Sequence, residues 1–206
     1  MATYRLAVIG SSYARDLFNV LQFRYGEDQA LALRLFGGGG QRLINDDGSS
    51  FESRYLAAIL AWHPHYVIVW VGGNDLNEDL RDGRNLATDH YKVVFDAHKS
   101  LCDALVDGTR RWGAKVIMMP IIPRTNLRYD MTPHQYFVSM RRFNAKFNRR
   151  SRRRSNIKIP YEMAGFHAFR EDGSALRDGV HLKWVIVHAI CVDIVRCYCH
   201  LPRPEQ

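Results

Sequence analysis

The sequence contains a continuous run of β-branched and aromatic residues, HYVIVWV, from His65 to Val71. A strand that is apolar at every position is typical of a parallel sheet whose two faces are both covered by helices. Further strands must lie beside such a strand, with helices on both sides of the resulting sheet. The run therefore predicts an α/β fold with this strand near the middle of the sheet.

Strand-like segments alternate with segments of helical periodicity along the chain. We predict further strands at Tyr4–Ile9, Leu31–Phe36, Lys115–Met119 and Ile157–Ile159. We predict helices at Ser12–Arg24, Phe51–Trp62, Thr88–Trp112, Pro133–Arg153 and Val180–Cys199. No linker or internal repeat divides the sequence. We therefore expect a single domain over residues 1–206, built as a three-layer α/β/α sandwich around a five-stranded parallel sheet.

The cysteine content and the hydropathy pattern narrow the class of protein. Four cysteines in 206 residues do not make a disulfide framework, which favours an intracellular, cytoplasmic protein. The sequence has no apolar run of about 18 residues and so predicts no transmembrane helix. Because 47% of its residues are hydrophobic and no period is visible, a disordered or collagen-like chain is excluded.

Positive charge is concentrated in one segment. The net charge is +8, and Arg141 to Lys158 contains nine Lys or Arg and no acidic residue, so the rest of the chain nets −1. One helical face is apolar, with Tyr136, Phe137, Met140, Phe143 and Phe147. The expected outer cations are Arg141, Arg142, Lys146, Arg149, Arg150, Arg152, Arg153 and Arg154. Such a surface suits nucleic acid, an anionic membrane surface or an acidic polysaccharide, and a merely solvated face is the alternative.

Two motifs of small residues follow the first two predicted strands, at the sheet edge where α/β proteins bind ligands. Gly10-Ser11-Ser12 can present a hydroxyl at a helix N-terminus, or a serine there can cap the helix. Gly37–Gly40 can direct backbone N–H groups at a ligand, or form a flexible turn. The Gly-Lys-Ser/Thr ending of a phosphate loop is absent.

Two polar motifs occupy the same predicted edge. Gly72-Gly73-Asn74-Asp75 follows the central strand, where Asn74 can donate its amide or form an Asx turn. Asp178-Gly179-Val180-His181 precedes the last predicted helix. Asp178 can accept the Nδ1 proton of His181 and leave Nε2 free as a base, or it can cap the helix.

Together the four motifs supply the parts of a serine hydrolase. Ser12 is the expected nucleophile, His181 the general base and Asp178 the residue that orients the base. The N–H groups of Ser12 and Gly40 and the side chain of Asn74 are the expected oxyanion donors.

These motifs resemble those of the SGNH (GDSL-like) hydrolase superfamily over nearly the whole chain, from Val8 to about Val187. The resemblance implies a flavodoxin-like α/β sandwich and serine esterase chemistry. The usual Gly-Asp-Ser of that family is Gly10-Ser11-Ser12 here, and Ser12 takes the position of the motif's serine. Among the glycines we choose Gly40 as the oxyanion donor, with Gly39 as the alternative.

A narrower resemblance joins three shorter segments to the esterase domains of animal LINE-type retroelement proteins. The segments are Gly10-Ser11-Ser12-Tyr13-Ala14-Arg15, Leu35-Phe36-Gly37 and Ile122-Pro123-Arg124-Thr125. This resemblance implies an esterase that works beside nucleic-acid-binding machinery. In the loop that begins at Ile121, we expect Arg124, Asn126 and Tyr129 to shape substrate choice, unless the loop is a plain polar connection.

The expected function is hydrolysis of small or medium acyl esters, with a small-molecule ester as partner and with no metal or other cofactor. Two alternatives stay open. One is a nucleic-acid-associated module with weak or no esterase activity, which the basic segment favours. The other is a carbohydrate O-deacetylase or acyltransferase that uses the same site residues.

Overall fold

The computed structural model describes residues 4–28, 30–45, 48–77, 90–127, 131–151, 157–158 and 173–199. The strands in this part are β1 (Tyr4–Gly10), β2 (Leu31–Gly37), β3 (Tyr66–Trp70), β4 (Lys115–Met118) and β5 (Ile157–Lys158). The α-helices are α1 (Ser12–Tyr25), α2 (Phe51–Ala61), α3 (Gly73–Leu76), α4 (His90–Gly108), α5 (Pro133–Ser151) and α6 (Trp184–Ile194).

The strands form one parallel sheet in the order β2-β1-β3-β4-β5. In the register of this sheet, Gly10 at the end of β1 pairs with Gly37 of β2 and with Trp70 of β3. The carboxyl ends of three neighbouring strands are therefore level with one another. The prediction of an α/β sandwich with a five-stranded parallel sheet is confirmed.

Two apolar cores lie on opposite faces of the sheet. On one face, Leu6 and Val8 of β1 belong to the core that contains the buried side chains of α1 and α6. On the other face, Ala7 and Ile9 belong to the core that contains residues of α2, α4 and α5. Because alternate residues of a strand point to opposite faces, a strand covered on both sides must be apolar throughout. This arrangement explains the run in β3.

Two predicted helices differ from those observed. The closing helix begins at Trp184, not at Val180, because the preceding chain turns at Gly179 (φ +78°) and pairs Leu176 with Leu182. The described part of α4 ends at Gly108 and is followed by a separate 3₁₀ turn at Arg110–Trp112, so the predicted helix is not continuous to its end. Within the described part of the chain, no helix is long and apolar enough to cross a membrane.

The prediction that all the cations of α5 lie on its outer face is wrong for Lys146 and Arg150. Arg150 forms an ion pair with Asp103 of α4, and its side chain is only 17% exposed. The ammonium of Lys146 lies 4.6 Å from the centre of the Phe95 ring, also on α4. Both side chains are long enough to reach back to the neighbouring helix, where they find a carboxylate and an aromatic face.

The outward positions of α5 that stay exposed carry Arg141, Arg142 and Arg149. The apolar face is as predicted: Tyr136, Met140, Phe143 and Phe147 are buried, and Phe137 is partly buried. Arg152, Arg153 and Arg154 lie outside the described residues.

Candidate active site

A tight junction between β1 and α1 places Ser12 at the edge of the sheet. Gly10 has φ +141°, and a Cβ atom there would lie 2.1 Å from the carbonyl oxygen of Trp70, so a side chain does not fit. The N–H of Ser11 donates to the same oxygen over 3.2 Å, whereas its buried Oγ has no hydrogen-bond partner. Ser11 therefore does not cap α1 through its side chain. Ser12 is the first residue of the helix, among the backbone amides that have no partner within it.

A cavity of about 420 Å³ opens at this edge. Ser12, Gly39, Gly40, Asn74 and His181 line it. Four motifs that lie far apart in the sequence therefore meet around one space. Three of them follow strands that end level with one another, and the chain before α6 brings in the fourth. The cavity is also lined by Arg15, Arg42, Asn77, Arg124, Asn126 and Val180.

Asp178 holds the imidazole of His181 from behind. Its Oδ2 lies 2.7 Å from Nδ1 of His181, and its Oδ1 accepts the backbone N–H groups of Val180 (3.0 Å) and His181 (2.6 Å). Partial burial acts to raise the pKa of Asp178, but the hydrogen bonds from His181 and Val180 outweigh it and lower this pKa to about 2. An ionised Asp178 can only accept, so Nδ1 carries the proton and Nε2 of a neutral His181 is free to accept another.

Tyr13 connects the loop that carries His181 to the helix that carries Ser12. Its hydroxyl donates to the carbonyl of Val180 over 2.9 Å, and its ring packs edge-on to the His181 ring with centroids 6.0 Å apart. Burial raises the pKa of Tyr13, so the hydroxyl stays protonated and keeps donating. Tyr13 thus links the loop that carries His181 to the helix that begins at Ser12.

Arg124 is a buried cation that connects the same helix to Asn74. It is 4% exposed, its Nε donates to the Tyr13 hydroxyl (2.7 Å) and its Nη2 donates to Oδ1 of Asn74 (3.0 Å). Nδ2 of Asn74 in turn donates one proton to the carbonyl of Gln41 over 3.0 Å. The amide of Asn74 is therefore held in one orientation, and the second Nδ2 proton remains for a ligand in the cavity.

The glycine-rich turn presents free backbone donors. The N–H of Gly38 is bound to the carbonyl of Gly10 (3.0 Å), and that of Gln41 makes a long contact with the carbonyl of Gly38 (3.5 Å). Between them, the N–H groups of Gly39 and Gly40 donate to no acceptor in the described part of the chain. Both glycines line the cavity, so the alternative between them stays open.

Arg177 stabilises the loop that carries Asp178, and no sequence pattern had indicated this role. Its Nη2 donates to Oδ2 of the buried Asp16 over 2.8 Å, and its Nε lies 4.0 Å from Oδ2 of Asp178. Its guanidinium also stacks on the ring of Trp184, 4.4 Å from the centroid. Three separate segments are joined in this way behind the imidazole.

The predicted residues fall into three groups in the structure. Ser12, Gly40, Asn74, His181, Arg124 and Asn126 share the cavity, Asp178 lies behind His181, and Tyr129 lies outside the described residues. Among the described residues, Ser12 Oγ and the His181 ring form no hydrogen bond, and such catalytic bonds often tighten only with substrate. Tyr13 and Arg15 were missed as site residues, although Arg15 is three positions after Ser12 and so shares its helical face.

The chain is similar to known proteins in its fold and not in its sequence. No protein-family model matches the chain, and no curated protein matches its sequence. Its fold is similar to a member of the lipolytic G-D-S-L family from Veillonella parvula (TM-score 0.64, 13% identity, covering 97% of this chain and 100% of that one). It is similar also to a GDSL-like lipase from Bacteroides thetaiotaomicron (TM-score 0.64, 14% identity, covering 92% of this chain and 85% of that one). A third similar structure is a mutant of the acetyl-xylooligosaccharide esterase Axe2 from Geobacillus (TM-score 0.55, 18% identity, covering 100% of this chain and 99% of that one).

The chain therefore has the fold of the GDSL-like, or SGNH, hydrolases. The resemblance inferred from the four motifs is confirmed at the level of the fold.

Proposed function

We propose that the chain is a serine esterase of the SGNH type that hydrolyses small or medium acyl esters. The proposal rests on the cavity that is lined by Ser12, Asn74 and His181. Asp178 contacts Nδ1 of His181, on the side of the imidazole that faces away from the cavity. The fold of GDSL-like lipases and of an acetyl-xylooligosaccharide esterase supports the same class of reaction.

In the proposed mechanism, Nε2 of His181 accepts the Ser12 proton while Oγ of Ser12 attacks the ester carbonyl. The oxyanion receives hydrogen bonds from the N–H of Ser12, the N–H of Gly40 and the second Nδ2 proton of Asn74. His181 then donates its proton to the leaving alcohol. Water attacks the acyl-enzyme with His181 as base, which releases the acid and restores Ser12. Asp178 stays ionised throughout and stabilises the imidazolium.

The test is hydrolysis of para-nitrophenyl esters from acetate to long acyl chains by the wild-type protein, Ser12→Ala and Ser11→Ala. Ser11→Ala is a matched control because it removes a neighbouring hydroxyl that makes no hydrogen bond. We expect Ser12→Ala to lose at least about 10³-fold in kcat and Ser11→Ala to stay within about threefold of wild type. Loss of activity in Ser11→Ala with an active Ser12→Ala would overturn the assignment of the nucleophile.

The acyl-chain profile separates two substrate classes. A broad preference for short and medium chains supports the general esterase. A preference confined to acetyl esters favours a carbohydrate O-deacetylase. Axe2, one of the structures with a similar fold, is an acetyl-xylooligosaccharide esterase.

We propose as a second function that the outer face of α5 binds a polyanion such as nucleic acid. Arg141 and Arg149 are exposed there, and no acidic residue occurs in the sequence from Arg141 to Lys158.

The test is fluorescence anisotropy with a labelled single-stranded RNA at rising salt, comparing Arg141→Gln/Arg149→Gln with the surface control Arg110→Gln. We expect affinity to fall steeply with salt and the double variant to show a shallower slope. Affinity that does not change with salt or with the double substitution would refute this function.

We also propose that the protein works in a reducing, intracellular compartment. All four of its cysteines are free thiols in the structure, and three of them are buried. Burial raises the pKa of Cys191 and Cys199 to about 12, so these thiols are unreactive in the folded protein. Imaging of a fluorescent fusion is the test, and secretion of the fusion would contradict the proposal.

A further inference from the structure

The cavity around Ser12 is lined by three arginines, Arg15, Arg42 and Arg124. Neither aspartate nor glutamate is found among the described residues that line it. A site for a neutral acyl ester needs hydrogen-bond donors for one carbonyl oxygen and apolar surface for the acyl chain. It does not need three guanidinium groups, whose planar forks of donors are suited to an anion.

Arg124 is the most informative of the three because its guanidinium is buried where it lines the cavity. Its hydrogen bonds go to neutral groups, the hydroxyl of Tyr13 and the amide oxygen of Asn74. Among the described residues no carboxylate forms a close ion pair with it, and the buried Asp75 acts on its charge only from a distance. A guanidinium that is 4% exposed and lines a ligand cavity in this way can form a closer ion pair with an anionic ligand.

Arg15 is also incompletely neutralised. Its Nη2 lies 3.7 Å from Oδ1 of Asp16, but the other oxygen of that carboxylate already binds Arg177 over 2.8 Å. One carboxylate therefore serves two guanidinium groups. The Arg15 side chain is 45% exposed and extends over the glycine turn, where a Cβ atom on Gly39 would lie 3.2 Å from its Nη1. Its charge thus lies beside the N–H groups of the proposed oxyanion hole.

From this arrangement we propose that the substrate is an anionic ester, whose carboxylate or phosphate group is bound by the arginines of the cavity. The proposal rests on the proposed function, since it names the substrate class of the same site. The planar guanidinium suits both anions because it can donate two parallel hydrogen bonds to two oxygens. In this arrangement the anion gives Arg124 a closer counter-charge than Asp75 does, and the ester carbonyl lies at Ser12.

The experiment compares two charged esters with a neutral ester of the same shape. Para-acetoxybenzoate supplies a carboxylate, para-acetoxyphenyl phosphate supplies a phosphate, and methyl para-acetoxybenzoate is the neutral reference. For each protein the measured quantity is the ratio of kcat/KM for the charged ester to that for the neutral ester. Comparing this ratio between proteins cancels the intrinsic reactivity of the esters.

We expect Arg15→Gln to lower the ratio about tenfold for the anion that the site prefers. Arg110→Gln is the matched control, because it removes the same charge from a side chain that is 76% exposed and outside the cavity lining. We expect it to leave the ratio unchanged. The advantage of the charged ester should also shrink as ionic strength rises. An equal ratio in wild type and Arg15→Gln, with all three esters hydrolysed, overturns the inference and leaves the proposed esterase intact.

A second measurement decides the matter if none of the esters is hydrolysed, which would count against the proposed function alone. Calorimetric titration of Ser12→Ala with para-hydroxybenzoate and with inorganic phosphate then tests anion binding directly. Binding that is weakened at least fivefold when Arg15→Gln is added supports an anion site. The absence of binding by either anion overturns it.

Discussion

Asn74 is held by hydrogen bonds on both sides of its amide, from Arg124 to Oδ1 and from Nδ2 to the carbonyl of Gln41. A side chain fixed in this way loses little freedom when it meets an oxyanion, so we expect its contribution to the proposed catalysis to be large for one hydrogen bond. The type of residue and its place after β3 were predictable from the sequence. Its partner Arg124 was predicted only as a substrate-shaping residue, because a contact 50 positions away depends on the fold.

We predict that Asn74→Ala lowers kcat by about 10²–10³ with little change in KM. The free energy of unfolding should fall by no more than about 1–3 kcal/mol, from the lost hydrogen bonds of Arg124 and Gln41. Steady-state kinetics and urea unfolding measure the two effects. Asn45→Ala, a polar truncation outside the cavity lining, is the control. Activity of Asn74→Ala within about threefold of wild type would remove Asn74 from the oxyanion hole.

Asp178 gives a second prediction at the residue scale. In Asp178→Asn the new amide can donate to Nδ1 of His181, which selects the tautomer that cannot act as base at Nε2. We expect kcat to fall by roughly 10³-fold or more at nearly unchanged stability, since the side chain of Asp178 is 48% exposed. The control is Asp107→Asn, which also removes an exposed carboxylate. A fully active Asp178→Asn would show that another group orients His181.

At the scale of the element, the packing of α4 against α5 contains a histidine that the proposed mechanism does not use. His98 is completely buried against the rings of Phe143 and Phe147, and its Nδ1 lies 3.3 Å from Sγ of Cys102. Its Nε2 has no hydrogen-bond partner among the described residues. Burial lowers the pKa of His98 from 6.5 to about 3, because a charged imidazole is poorly solvated there. The helix pair therefore requires this histidine to stay neutral.

The sign of the resulting pH effect follows from which state binds the proton. Between pH 6.5 and about 3 the unfolded chain protonates His98 and the folded protein does not, so stability falls as pH falls. The free energy of unfolding falls by about 1.4 kcal/mol for each pH unit below pH 6.5 within this window. We expect His98→Leu to flatten the pH dependence of the free energy of unfolding in urea between about pH 7 and about pH 5, and the exposed His134→Gln to leave it as in wild type. Equal slopes in all three proteins would contradict the assignment.

The elements also show where sequence patterns stop being informative. The buried faces of β1, β3 and α5 were predictable because burial imposes periodicity on the residues themselves. The start of α6 was not predictable in this way. Asp178 accepts hydrogen bonds from the N–H groups of Val180 and His181, and these bonds favour a turn where the apolar pattern predicts a helix. Lys146 and Arg150 were assigned to solvent because nothing in their own sequence reveals the carboxylate and the ring on α4.

At the scale of the whole molecule, the two cores share one sheet, and the site occupies the edge where β1, β2 and β3 end together. Gly10 lies at this meeting point, paired with both neighbouring strands. Because Gly10 lies so close to the carbonyl of Trp70, a side chain at this position would displace both the strands and the start of α1. The sequence predicted this edge well, because the rule that ligands bind at the carboxyl ends of parallel strands applies to any such sheet.

We predict that Gly10→Ala is destabilised by more than about 4 kcal/mol or does not fold, since both the backbone angle and the space exclude a methyl group. Gly48→Ala is the matched control. Gly48 has φ +77°, but a Cβ atom there would meet no atom within 4 Å, so only the backbone strain of about 1–2 kcal/mol applies. Urea unfolding of the two variants measures the difference. Similar losses in both would mean that the contact with Trp70 does not limit this position.

Helix α1 begins without a hydrogen-bonded side-chain cap, and its first turn faces the cavity. The N–H groups of Ser12, Tyr13 and Ala14 precede the first intrahelical hydrogen bond, from the N–H of Arg15 to the carbonyl of Ser11. They meet no acceptor among the described residues, so a ligand in the cavity can supply one. A folded chain with its ligand is then harder to open than an empty one. In a cell, proteases degrade mainly the opened molecules, so the lifetime of this protein would lengthen when its substrate is abundant and shorten when it is scarce.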